Sequence, residues 1–154
     1  MNTAITIKQV PELHFTTLTQ VGVAGLQNTF SRLMAWAGPK GLLADPDFKM
    51  ATVFYDSFKV TTPDKVRMKV CLLTAKAIAS EGDIETLTLA PQKCIVAGFE
   101  IGPDEFEKTW ASLFIWMNEN GYSKADNPPF EIYHNNFNEH PEKKCIVDMY
   151  IPIQ

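Results

Sequence analysis

Glu131 stands in the run Phe130-Glu131-Ile132-Tyr133, with apolar or aromatic residues on both sides. In an extended strand, alternation puts Glu131 on the face of Tyr133 and Phe130 on the face of Ile132. A carboxylate held beside aromatic rings in a concave site either has a raised pKa or takes a cation. Such a group can be the counter-charge for a lipophilic cation. It can equally be a general acid/base, with Tyr133 orienting water or substrate. The same pattern also fits a solvated residue on the open face of an antiparallel sheet. At the level of sequence all three readings stay open.

Other chemistries find little support. No GxSxG, Walker loop, HExxH, GxGxxG or EF-hand pattern occurs in the chain. The cysteines Cys71, Cys94 and Cys145 form no CxxC pair, and an odd number cannot all be bridged within one chain. They read as reduced, mostly buried thiols. His14, His134 and His140 lack the spacing of a metal site, although His134 and His140 flank a predicted turn, which leaves weak metal affinity open. The expectation is no metal and no cofactor. Asp56, Asp104 and Glu105 read as turn and cap residues.

The elements that position Glu131 come from an internal repeat. Pro11 to Gly22 (PELHFTTLTQVG) aligns with Pro91 to Gly102 (PQKCIVAGFEIG), and the register runs on without a gap. Leu26, Phe30, Leu33 and Trp36 then match Phe106, Trp110, Leu113 and Trp116, and Gly41 matches Gly121. Positions 26, 30, 33 and 37, like 106, 110, 113 and 117, step by 4, 3 and 4, the period of one buried helix face. Pro103, Asp104 and Glu105 suit a helix start, and Gly121 a left-handed cap beyond its end. In the first copy Gly38-Pro39 ends the helix. After each helix comes a loop and a hairpin: ATVFYDSF matches FEIYHNNF, and VRMKVCLL and CIVDMYIPI follow. Before each helix lie two strand candidates, ITIKQV with HFTTLTQ and ETLTLA with CIVAGFE.

The unit is thus strand–strand–helix–strand–strand, twice. The predicted fold is α+β: two tandem β-β-α-β-β repeats forming one pseudo-twofold, twisted, mostly antiparallel sheet with the helices on one face. Residues 1–154 are read as a single domain, with repeat one at about 3–74, a linker at about 75–83 and repeat two at about 84–154. A groove between the repeats is the expected place for a ligand. Glu131, Tyr133 and their repeat mates Thr52 and Phe54 are its candidate residues. Trp110 and Trp116 read as helix core and also as aromatics bordering the groove. Asp148 interrupts its strand as Glu131 does, and its repeat mate is Lys69. These two are either exposed strand charges or a pair meeting near the axis.

Composition sets the outer bounds. A chain of 154 residues can bury roughly 68–70% of its unfolded surface without disulfide or metal. Lys plus Arg number 14 against 18 for Asp plus Glu, a formal charge of -4 with no basic run, which argues against direct nucleic-acid binding. The N-terminus has no secretory pattern, and no apolar run approaches the length that crosses a bilayer. A cytoplasmic location without membrane contact is expected. A protein partner stays open, and oligomeric state is not legible in the sequence.

The doubled unit, together with three stretches, resembles the GyrI-like, or bacterial effector-binding domain, family. The stretches are GFEIGPDEFEKTWASLFIWMNENGY, PFEIYHNNFNEHPEKK and CIVDMYIPI. In the first half, Tyr55, Asp56, Pro63 and Arg67 fit the family's Tyr-Asp…Pro…Arg pattern. The resemblance implies a stand-alone module with a pocket for hydrophobic, often cationic small molecules, a buried acid at its base and aromatic walls. It places Glu131 and Tyr133 at the family's Glu-x-Tyr positions, and Asp148 where the last strand usually carries Glu. Lys69 departs from the acid often found at its position, which would neutralise Asp148. The family also includes hydrolases of reactive cyclopropane-type compounds and antagonists of gyrase or its toxins. A small hydrolase using Glu131, and a gyrase-inhibitor-like interaction module, are therefore the alternatives. No helix-turn-helix is expected ahead of the first repeat.

Overall fold

The structure, a computed structural model, describes residues 4–154, apart from the side chain of Phe137. The predicted start of repeat one at residue 3 lies outside the described residues. Eight strands and two helices follow in the order β1 (Ile5–Val10), β2 (Leu13–Val21), α1 (Leu26–Ala37), β3 (Lys49–Phe54), β4 (Arg67–Thr74), β5 (Glu85–Leu89), β6 (Gln92–Ile101), α2 (Phe106–Glu119), β7 (Phe130–Tyr133) and β8 (Cys145–Pro152). The class is α+β, the strand pairing within each of the two units described below is antiparallel, and the ββαββ order occurs twice.

The chain forms two compact units whose boundaries differ from those of the repeat. In the first, β1 joins the second repeat's strands in the order β1-β6-β8-β7. In the other, Pro11–Pro91, the order is β3-β4-β2-β5. Each repeat thus lends its first strand to the other unit: β1 pairs with β6, and β5 with β2. Only Pro11-Glu12 separates β1 from β2, and Ala90-Pro91 separates β5 from β6. A two-residue hairpin needs a residue at positive φ, which Pro cannot adopt, so the chain runs on instead of folding back.

Within the Pro11–Pro91 unit, α1 buries Thr29, Leu33 and Ala37. Its core joins Leu33 and Ala37 to Leu18, Val70, Leu72 and Ile84. Gly22, at φ +80, could not carry a Cβ, which would come within 2.6 Å of the Asp64 carbonyl oxygen. Asp56 closes the β3–β4 loop by accepting from the Arg67 backbone N–H, its Nε and its Nη2, each at 2.9 Å.

In the other unit Pro103–Glu105 forms a 3-10 turn that leads into α2, and Gly121 lies just past the helix end at φ 78. α2 buries Thr109, Trp110, Leu113 and Met117. Along β6, Cys94, Ile95, Val96 and Ala97 are all buried, so this strand is covered on both faces. No described helix is long and apolar enough to cross a membrane.

Candidate functional site

β7 is a four-residue strand paired with β8 alone within its unit, in the register Phe130↔Tyr150, Glu131↔Met149, Ile132↔Asp148 and Tyr133↔Val147. Residues opposite one another in a ladder point to the same side. One face of the hairpin therefore carries Glu131, Tyr133, Val147 and Met149, and the other Phe130, Ile132, Asp148 and Tyr150. The first face meets α2.

Glu131 is 2% exposed. The Trp110 indole N–H donates to its Oε1 at 2.7 Å, and the Tyr133 hydroxyl donates to its Oε2. Trp110 comes from the buried stripe of α2; Tyr133 lies two residues along the strand from the acid. Phe106, one turn before Trp110, meets the Tyr133 ring edge-on at 6.4 Å, and Phe114, one turn after it, packs on Trp110 at 6.0 Å. Loss of water around Glu131 pushes its carboxyl up to about 7, against the two hydrogen bonds, which favour the charged form. Cys145 is half-buried, and its thiol is pushed up to about 11 by burial and by the charge of Glu131. Among the described residues no cationic side chain is ion-paired with Glu131.

On the opposite face Asp148 Oδ2 lies 2.8 Å from His134 Nε2. Beside them Phe130 and Tyr150 stack at 4.5 Å. Burial, then Asp148 and Cys94, push the Tyr150 hydroxyl up to about 12. Glu131 and Asp148 are thus separated by the sheet. Lys69 lies 3.8 Å from Glu85 and 5.9 Å from the centroid of the Tyr55 ring.

Glu131, Tyr133 and Trp110 form one hydrogen-bonded cluster. Trp116 instead stacks on Tyr122 at 6.0 Å. Thr52, fully buried, and Phe54, edge-on to Phe58 at 5.7 Å, lie on β3 in the other unit. His140 lies 2.7 Å from Glu100, and no described cluster of three or more His, Cys, Asp or Glu could hold a metal. Two neighbours of the acid were not singled out from sequence: Phe106 and Cys145. For Cys145 the signal was alternation along β8, which puts positions 145, 147 and 149 on one face.

The sequence model of the GyrI-like small molecule binding domain matches residues 3–154. The chain belongs to this family. No match was found among curated protein sequences. In three dimensions this GyrI-like domain is similar to the C-terminal domain of EcmrR, with a TM-score of 0.78 at 17% identity over 100% of this chain and 99% of that one. It spans 57% of the EcmrR chain in an EcmrR–DNA complex, with 99% of this chain aligned at 16% identity and a TM-score of 0.77. A hydrolase from Listeria innocua gives a TM-score of 0.70 at 14% identity, covering 97% of this chain and 91% of that one. SAV2435 bound to tetraphenylphosphonium gives 0.56 at 14% identity, covering 98% and 94%. At such identities the likeness is one of fold.

The repeat supplies an internal comparison for the GyrI-like domain. Where one unit has Glu131, Tyr133 and Trp110, the matched positions of the other hold Thr52, Phe54 and Phe30. The ionisable group is present in one copy only.

Proposed function

We propose that this GyrI-like domain binds a hydrophobic cation at the face of β7 that packs on α2, with Glu131 as its counter-charge. The observation that carries the reading is the Glu131 carboxyl, buried and held by two neutral donors, with aromatic rings around it. A carboxylate without solvent or a cationic partner costs several kcal/mol in its charged form. A cation with a lipophilic surface supplies the missing charge while its own surface meets Trp110, Tyr133, Phe106 and Phe114. Because the matched place in the other unit has Thr52 and Phe54, one cation per chain is expected. Support from outside the chain is the family's small-molecule binding and SAV2435, a protein of this fold seen with tetraphenylphosphonium.

The experiment is titration of the whole chain with tetraphenylphosphonium above neutral pH, read by thermal shift and calorimetry. The wild type should bind and melt higher, since a ligand of the folded state stabilises it. E131Q, shown folded by circular dichroism, should bind at least about tenfold more weakly, about 1.4 kcal/mol. Equal affinity would remove Glu131 from the reading.

A second reading has one observation in its favour. A carboxyl near neutrality is matched to general acid/base work, and a hydrolase from Listeria innocua shares the fold. In that case Glu131 moves the proton and Tyr133 orients water or substrate. E131Q would then abolish turnover of a reactive hydrophobic ester or epoxide while leaving its binding nearly intact.

A further inference from the structure

We propose that cation capture at Glu131 is an exchange, in which one proton leaves the site for each cation that enters. The inference rests on the cation-binding reading and adds its regulation.

The charge state of the site is set by one group. Trp110, on α2, offers an indole N–H that can only donate, and Tyr133, on β7, donates its hydroxyl to the other carboxyl oxygen. From β8 the same face presents Met149 directly opposite Glu131, then Val147 and Cys145. From β6 it presents Ala97, Phe99 and Ile101. Thr109 and Leu113 flank Trp110 on α2, and Glu105, in the turn before the helix, is tied to the Gly102 N–H at 3.4 Å. Tyr133 and Cys145 are the titratable neighbours on these strands; the Tyr133 hydroxyl donates to the acid, and burial with the Glu131 charge pushes the Cys145 thiol up to about 11. With 2% exposure, Glu131 has a proton or a bound cation as its means of neutrality.

In the exchange, the carboxylic O–H bond breaks and the carboxylate keeps the electron pair. The proton passes to solvent and the cation takes its place, so the site is neutral before and after. Neither donor is lost, since indole and phenol bind the anion better than the acid. Linkage then makes the ligand sense pH: below the folded pKa of the acid, apparent affinity falls by up to about tenfold per pH unit, and above it affinity is flat. Burial lifts that pKa to about 7, which puts the transition at neutrality.

The test is calorimetry of tetraphenylphosphonium binding to the intact chain in buffers of different ionisation enthalpy, which counts protons directly. At about pH 6 close to one proton should be released per cation, and at about pH 8.5 close to none. E131Q should show release near zero at both. Binding of the wild type with no proton release at about pH 6 overturns the exchange and leaves the cation reading standing. Absence of binding at both pH values removes the cation reading, and the exchange with it.

Discussion

The indole N–H of Trp110 on α2 lies 2.7 Å from the Oε1 of Glu131 on β7, joining a helix to a strand through a buried carboxyl. Burial favours the neutral acid, and the indole favours the anion. The position of the helix and the ionisation of the acid are therefore linked.

Replacing Trp110 by Phe keeps most of the ring and deletes the donor. The Glu131 pKa should rise further, since the lost bond favoured the anion. The cost in stability should be about 1–3 kcal/mol, and larger at pH 8 than at pH 6, because only the ionised acid loses a charge-assisted bond. Urea unfolding at the two pH values measures both parts.

Glu131 also predicts how stability depends on pH. Its folded pKa, about 7, lies above the ordinary 4.5. Between those values the folded state keeps a proton that the unfolded chain has lost, so stability is full below about pH 4.5 and falls as pH rises toward 7. The loss should be about 3 kcal/mol relative to E131Q, with no further change above. Parallel denaturation curves of wild type and E131Q would contradict this.

Asp148 provides the complementary control. It sits on the other face of the hairpin beside His134, so D148N should leave tetraphenylphosphonium affinity unchanged. A half-exposed pair of this kind contributes at most about 1 kcal/mol to stability. A drop in affinity as large as that of E131Q would mean that both faces reach the ligand.

The Asp56–Arg67 clamp should behave as a local fastener. Its hydrogen bonds to Arg67 hold the Asp56 carboxyl down at about 2, below the ordinary 3.8. The stability it adds is present above pH 3.8 and is lost only as pH falls through about 2. D56A should speed amide exchange at Arg67 and Tyr55, whose N–H groups donate to Asp56 Oδ2 and the Arg67 carbonyl, while leaving Trp110 fluorescence unchanged.

The exchange of strands can be tested by cutting the chain between Thr74 and Glu85. Each fragment then carries the strand that the other's sheet pairs with, β1 for β6 and β5 for β2. Fragments expressed together should co-purify, and each alone should be poorly folded by circular dichroism. Two independently folded monomeric fragments would be the contrary result.

Local order was readable in the residues. The helix stripes through Leu33 and Leu113, the two strands on either side of each helix, and the shared face of Glu131 and Tyr133 all follow from periods of 3.6 and 2, which depend only on neighbours in the chain. The Pro and Gly marks at Pro103 and Gly121 follow from backbone geometry in the same way. Three things depended on residues far apart. The register Ile132↔Asp148 put the two acids on opposite faces, because one step of register reverses a strand. The Pro-containing links sent β1 and β5 to the partners that local similarity would not choose. Trp110 rather than Trp116 reached the carboxyl, since only the packed helix decides which indole points at β7. The type of residue at position 131 was given by the chain; its burial, its two donors and hence its proton affinity near neutrality belong to the tertiary structure, because desolvation is a property of everything packed around a group.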